Sequence, residues 1–204
     1  MLITAGTSYA LDPESVLPDN GLPVVVIEIE ETQEHTIEDM NASKDHSVEC
    51  YGTMQIIVPD GFRYCDLDVV PESIGPVDLD YIRGRGNSTW GLAKKPYKIK
   101  LANKADIFGL GKNKHWVLLA NANDPSAFKN RLTGWLGDAV GLEFTPRGVP
   151  VDVVMIAKRD GVEVSRQNLG NYMLAEHVRI DKNRLEIPEL TENDVDEKDI
   201  SGDI

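Results

Sequence analysis

Two segments in the first third of the chain carry the apolar pattern of β-strands. They are residues 22–30 (LPVVVIEIE), which begin as an apolar run and end in alternation, and residues 48–58 (VECYGTMQIIV). The polar residues 31–47 between them predict a loop, and a turn at residues 59–61 could pair the second strand with residues 62–69. The pattern therefore predicts a β-rich extension, which is either a small module or an addition to the main sheet.

A second strand pattern lies on both sides of a glycine-rich turn. Apolar residues alternate with polar ones over residues 77–82 and again over residues 97–101. This period of two predicts a β-hairpin whose tip is residues 84–91. Lys98 and Lys100 are expected to share the polar face of the hairpin, opposite buried apolar neighbours.

The clearest helical pattern follows a short apolar strand at residues 116–120. Asp124 is suited to the N-cap of a helix, and apolar residues recur at helical spacing up to Gly141. An apolar stripe of this kind normally packs on the rest of the domain. We therefore expect Leu132 and Trp135 to lie in the core, against the sheet.

Two last strands, residues 149–157 and 170–180, are expected to be joined across a turn at Asp160-Gly161. The whole pattern predicts an α+β fold, with an antiparallel sheet and one main packed helix, preceded by a small β-rich extension. The expected organisation is a loop or linker at residues 1–21, the extension at 22–76, a main lobe at 77–188 and an acidic linker at 189–204.

Charge is distributed unevenly along the chain. The net charge is -13, yet residues 83–131 carry eleven lysine and arginine residues against only two acids, Asp106 and Asp124. A segment of this kind can present a positive field to an anion, although a solvated cationic face has the same composition. The negative net charge opposes nucleic-acid binding, which depends on neutralising phosphates over a wide surface. No apolar run reaches the roughly 18 residues that a membrane-spanning helix requires.

The glycine-rich turn is the strongest candidate for chemistry. Its glycines let backbone N–H groups approach a ligand closely, and the adjoining cations have the sign that phosphate oxygens require. The four histidines show no spacing typical of metal ligands, so no metal site is expected. Cys50 and Cys65 could form one disulfide bond or remain two thiols, and their number does not decide between these states.

Four separated blocks of the sequence resemble, in order and spacing, the spore-coat protein H (CotH) kinase family. They are RGRGNSTWGLAKKPYKIKL, IFGLGKNKHWVLLANANDPSAFKNRLTGWLGDAVGL, TPRGVPVDVVMI and LGNYMLAEHVRIDKNRLEI, between residue 82 and about residue 187. The resemblance implies the N-terminal lobe of an atypical protein-kinase-like fold. It also implies that ATP, with Mg²⁺ or Mn²⁺, is used to phosphorylate serine-rich proteins at a spore coat or cell surface, although residues 1–15 lack the pattern of a secretory signal.

The resemblance also implies a nucleotide site. The lid over the phosphates would be formed by Arg85, Gly86, Asn87 and Ser88. The strand lysine that grips the phosphates would be Lys98 or Lys100, or Lys95 at the edge of the loop. A glutamate that the family repeats corresponds to Glu176, which is either a site residue or a carboxylate paired with Arg179 or Arg184.

Two functions stay open on the sequence alone. In the first, the chain is the nucleotide-binding lobe of a CotH-like kinase and is inactive alone, because the catalytic and metal-binding aspartates are expected beyond Ile204, on a C-terminal lobe of the same protein. The alternative is a cell-surface adhesion module. It would hold a polyanion by charge and stacking on a basic aromatic hairpin made of Trp90, Lys94, Lys95 and Tyr97.

Overall fold

Seven segments form β-strands in a computed structural model of the chain, which describes residues 20–188. In chain order the strands are β1 (Val24–Glu30), β2 (Glu49–Ile57), β3 (Ile74–Gly84), β4 (Tyr97–Asp106), β5 (Lys112–Leu119), β6 (Gly148–Arg159) and β7 (Val162–Glu176). The helices are α1 (Ile37–Ala42), α2 (Lys129–Ala139) and a single 3-10 turn at Ser88–Gly91. None of these helices is long and apolar enough to cross a membrane.

The seven strands close into a barrel in the order β1-β2-β3-β4-β5-β7-β6. The barrel closes through parallel pairing of β1 with β6, and the other neighbouring strands pair antiparallel. The predicted α+β fold, with an antiparallel sheet and one main packed helix, is therefore wrong. Of the two alternatives for the β-rich extension, the structure shows an addition to the main sheet. The first two strands belong to the main sheet and close it, so the core lies inside a barrel and needs no helix to cover it.

The interior of the barrel is filled by inward-facing apolar side chains, of which Trp116 and Tyr172 are among the largest that are fully buried. Tyr97, Ile99 and Leu101 point inward along β4, as the alternation predicts. The predicted hairpin is also confirmed, because β3 and β4 pair antiparallel on either side of the glycine-rich loop.

Helix α1 lies within the polar segment that the sequence pattern predicts as a loop. Thr36 caps the helix, because its Oγ1 accepts a hydrogen bond from the Asp39 backbone N–H while the Asp39 carboxylate accepts one from the Thr36 N–H. This reciprocal capping box is a known start signal for helices. Ile37 and Met40 on its apolar side join the barrel core.

Residues 62–69 form no strand, so the predicted hairpin between them and β2 is wrong. β2 pairs with β3 instead, with Cys50 opposite Ile82 and Met54 opposite Val77. Within this segment Tyr64, Cys65 and Asp66 contact Arg131 of α2, and Phe62 and Leu67 pack against the barrel core. Cys50 is buried, Cys65 is exposed, and both are free thiols.

Helix α2 packs on the outside of the barrel, so the prediction that Leu132 and Trp135 are core residues is wrong. They are 43% and 41% exposed. The helix is held instead by Arg131, whose guanidinium lies 4.3 Å from the ring centroids of both Tyr64 and Trp135 and donates a hydrogen bond to Asp66. A closed barrel encloses its own core, so the apolar residues of α2 are not needed to cover it and remain exposed.

Helix α2 also begins later than predicted, at Lys129. Residues before it form turns, and Ala127 has a positive φ of 52°, which is incompatible with a helix starting at Asp124. The Asp124 carboxylate nevertheless accepts a hydrogen bond from the Lys129 backbone N–H at 2.8 Å. The turn predicted between β6 and β7 is confirmed, since Asp160 and Gly161 both have positive φ.

Candidate functional site

The glycine-rich loop between β3 and β4 folds onto its own tryptophan. The buried Trp90 donates a hydrogen bond from Nε1 to the carbonyl oxygen of Ser43 at 2.9 Å. A Cβ on Gly84 would lie 2.4 Å from the Trp90 ring, and Gly86 has a φ of 89°, which larger residues rarely adopt. Glycine at these two positions therefore allows the loop to pack and turn.

The predicted lid residues lie in different environments. Asn87 and Ser88 are exposed near the tip of the loop. Arg85 is half-buried, and its backbone N–H is already occupied by the carbonyl oxygen of Pro96 at 3.2 Å. Burial lowers the pKa of the Arg85 guanidinium, which borders the cleft described below.

Two lysines of the loop are occupied by backbone contacts. Lys95 Nζ donates to the carbonyl oxygen of Trp90 at 2.8 Å and lies 4.6 Å from the centroid of the indole. Lys94 Nζ donates to the carbonyl oxygen of Asn171 and lies 4.5 Å from the Tyr172 ring. These contacts hold the loop against the barrel.

The aromatic residues of the same hairpin are buried. Trp90 is 7% exposed and Tyr97 is 2% exposed, so neither ring presents a face on which a bound polyanion could stack. With Lys94 and Lys95 bonded to the backbone, no observation favours the adhesion surface that the sequence leaves open.

A cleft lies between α2 and the outer face of the barrel. Its apolar floor is formed by outward-facing residues of β5 and β7, namely Val117, Leu119, Met173 and Ala175. The cleft has a volume of about 470 Å³, which is within the range of small-molecule sites. Arg85 and His177 both border it, so one cationic side chain and one imidazole face an apolar surface.

Lys98 lies beside this floor, because it pairs with Val117 in the register of β4 and β5. The Lys98 side chain forms no ion pair or hydrogen bond with the other residues between 20 and 188, and its Nζ lies 6.0 Å from the centroid of Tyr81. Lys100, on the same face as predicted, differs because its Nζ is 2.6 Å from the Asp80 carboxylate. Of the two strand lysines, Lys98 is therefore the one whose charge is available to a ligand.

Two histidines lie next to Lys98, and the sequence pattern gives neither of them a role. The ring centroids of His115 and His177 are 6.1 Å apart. Burial, together with the positive charges of Arg179 and Lys98, lowers the pKa of each imidazole to about 4. Both rings are therefore neutral at neutral pH, in surroundings with excess positive charge.

Glu176 lies under the cleft, at the end of β7, and is 3% exposed. One carboxylate oxygen accepts a hydrogen bond from Arg184 at 2.9 Å, and the other accepts one from the Arg147 backbone N–H at 2.8 Å. Burial raises the pKa of Glu176, while the bond from Arg147 and the Arg184 charge oppose that rise. Of the two arginine partners that the sequence leaves open, the structure pairs Glu176 with Arg184.

Sequence reasoning missed the histidine pair because it sought histidines only at metal-ligand spacing. His115 precedes the buried Trp116 on β5, and alternation alone would have directed it to the same outer face as Lys98 across the sheet. His177 follows β7, which becomes the neighbour of β5 only through the strand order of the barrel. The first placement was accessible from the sequence, whereas the second required the fold.

The CotH kinase protein family matches residues 82–201, which is more than half of the chain. The chain therefore belongs to this family, as the four sequence blocks indicate. The matched region contains the glycine-rich loop, the cleft and the histidine pair. Membership supports a kinase-like role in general terms, and no curated protein matches the chain.

Proposed function

We propose that this chain binds the nucleotide in a kinase-like reaction that transfers phosphate from ATP to serine-rich proteins. The observation that carries the proposal is the position of Lys98, a cation free of ion pairs within residues 20–188, beside an apolar cleft bordered by Arg85. Phosphoryl-transfer enzymes act mainly by positioning and neutralising phosphates, for which cations at the edge of a cleft are required.

The parts of a nucleotide match the parts of the cleft. The apolar floor on β5 and β7 suits the flat face of a base, and the cationic rim suits the phosphates. Lys98 and Arg85 also act electrostatically on the same ring, since both lower the pKa of His177. The positive electrostatic fields of Lys98 and Arg85 therefore overlap at the end of the cleft where His177 lies.

The described residues do not fit a divalent metal ion. Within residues 20–188 no group of three or more histidine, cysteine, aspartate or glutamate side chains is arranged to hold one. Glu176, the carboxylate that borders the cleft, is already bonded to Arg184 and to the Arg147 backbone. The function proposed for these residues is therefore nucleotide binding alone.

Replacing Lys98 with alanine should weaken ATP binding about tenfold or more, a loss of about 1.4 kcal/mol. The effect is expected because an unpaired cation beside the cleft would lose its contact with the phosphates. Isothermal titration of ATP with Mg²⁺ into the wild-type and variant chains measures it. Lys104→Ala is the matched control, since Lys104 is an exposed residue of the same strand.

Lys100→Ala should change ATP affinity less than Lys98→Ala, because Lys100 is engaged by Asp80. An equal loss in the two variants would mean that phosphates displace Asp80 and contact both lysines, and the assignment to Lys98 alone would then be wrong. If Lys98→Ala binds ATP as tightly as Lys104→Ala does, the nucleotide site lies elsewhere.

Phosphate transfer is the second part of the proposal and has its own test. We expect this chain alone to bind ATP without labelling a serine-rich acceptor, because transfer needs carboxylates to orient the hydroxyl and hold the metal. The test incubates the chain with radiolabelled ATP, Mg²⁺ or Mn²⁺ and a serine-rich peptide. The radioactivity transferred to the peptide is then measured. Labelling above the protein-free control would show that this chain supplies its own catalytic carboxylate, and substituting its aspartates singly would then identify it.

A further inference from the structure

The side chains around His115 and His177 form a cluster that the nucleotide-binding proposal does not use. His115 lies on the outer face of β5, opposite Lys100 on β4. His177 follows the end of β7, with its ring tilted by 42° to that of His115. Arg179, two residues further on, acts on both rings, since its charge lowers the pKa of each.

One ring nitrogen of each histidine is buried without a partner. His115 Nδ1 and His177 Nδ1 are both inaccessible and make no hydrogen bond, whereas Arg179 Nε lies 3.6 Å from the Asp181 carboxylate. A buried N–H group without an acceptor is costly, so the proton of each neutral ring is favoured on Nε2 rather than on Nδ1. Since Nδ1 of each ring is turned inward, Nε2 lies on the accessible side, where it is free to carry the proton and donate it to an oxygen atom.

The charges that face the two rings are mainly positive. The cations are Lys98, Lys100, Arg85, Arg179 and Arg184. Three of them have carboxylate partners, in the pairs Lys100–Asp80, Arg179–Asp181 and Arg184–Glu176. Lys98 and Arg85 leave an excess of two positive charges, which a dianion would offset.

We propose that His115, His177 and Arg179, with Lys98 at their edge, form a binding site for a phosphate group on the outer face of the barrel. Both imidazoles donate to its oxygen atoms, and the guanidinium and ammonium groups offset its charge. His177 also borders the cleft, so the site lies at one end of it. The inference rests on the proposed function for the source of the phosphate, which is the distal end of the nucleotide, although free phosphate has the same chemistry.

Sulfate is the probe of choice, because it remains a dianion throughout the pH range in which histidine titrates. Titrating sulfate into ¹⁵N-labelled chain should shift the imidazole signals of both His115 and His177 in a saturable way. The affinity for sulfate should be about tenfold higher at acidic than at neutral pH. A bound anion raises the pKa of a ring toward its ordinary value, so at acidic pH the ring takes up a proton when sulfate binds.

His177→Gln should weaken sulfate binding and reduce its pH dependence to the part that His115 contributes, while His35→Gln should change neither. His35 is a suitable control because its ring is bonded to the carbonyl oxygen of Glu49 in another part of the molecule. Retained affinity and pH dependence in His177→Gln, or imidazole signals that never respond to sulfate, would overturn the site.

Parallel titrations with ATP and with inorganic phosphate separate the two proposals. If ATP shifts both imidazole signals and competes with sulfate, the distal phosphate of the nucleotide occupies the site. Sulfate binding that depends on His177 without any ATP binding would leave the phosphate site standing and overturn the proposed function. ATP binding that depends on Lys98 without any response of either ring would leave the proposed function standing and overturn this inference.

Discussion

Gly52→Ala should prevent the barrel from closing. A Cβ at position 52 would lie 1.8 Å from the carbonyl oxygen of Glu28 and 2.9 Å from its carbon, both of which are backbone atoms of β1. β1 cannot easily move away, because it is also paired with β6 on its other side. We expect a loss of more than about 4 kcal/mol in the free energy of unfolding, measurable by urea denaturation followed by circular dichroism.

Gly75→Ala is the matched control. Gly75 lies on the neighbouring strand β3, and a Cβ there would meet no atom within 4 Å. Its substitution should change the free energy of unfolding by no more than about 0.5 kcal/mol. If Gly52→Ala were as stable as Gly75→Ala, the close approach of β1 and β2 would be incorrect, and with it the register that aligns Ile29 with Gly52.

The strands and the β3–β4 hairpin could be predicted from the sequence because each pattern is local. Alternation around Lys98 and Lys100 gives the strand, its two faces and the turn, and each of these depends on residues close together in the chain. The apolar run in β1 likewise predicts a strand with one face or both buried, and the structure buries both, since Val24 through Ile27 are all buried.

Closure of the barrel could not be predicted in the same way. It depends on β1 pairing with β6, in which Val24 lies opposite Asp152 although the two are far apart in the chain. No local pattern specifies which strand another strand will join. Because barrel closure is not visible in the local pattern, the apolar stripe of α2 was misleading as well. Leu132 and Trp135 would be core residues only if the sheet were open on the side of the helix.

The candidate site likewise contains residues that local sequence predicts and residues that only the strand order brings together. The glycine-rich loop and strand lysines were accessible from the sequence and from the family resemblance, and the structure distinguishes Lys98 from Lys95 and Lys100 by their partners. The approach of His177 to His115 depends on β7 lying beside β5, which the strand order of the barrel produces. A pair of this kind becomes visible only when the fold is known.

Glu176→Gln should destabilise the chain by about 3–5 kcal/mol, because it leaves Arg184 as a buried charge without its counter-ion. The side chains of the pair are 2% and 0% exposed, and the guanidinium of Arg184 also lies 4.9 Å from the Trp116 ring. Glu163→Gln is the control, since Glu163 forms a partly exposed pair with Arg166 and its loss should cost about 1 kcal/mol or less. Urea denaturation compares the two variants.

Replacing both members of the buried pair tests whether Glu176 contributes to the stability of the fold or to ligand binding. The double variant Glu176→Met with Arg184→Met should recover most of the stability that either single substitution loses, because no unpaired charge remains buried. ATP titration of the refolded double variant should then give an affinity close to that of the wild type, since the phosphate contacts proposed above come from Lys98 and Arg85. A double variant that is stable but binds ATP at least about tenfold more weakly would show that Glu176 or Arg184 positions the bound nucleotide.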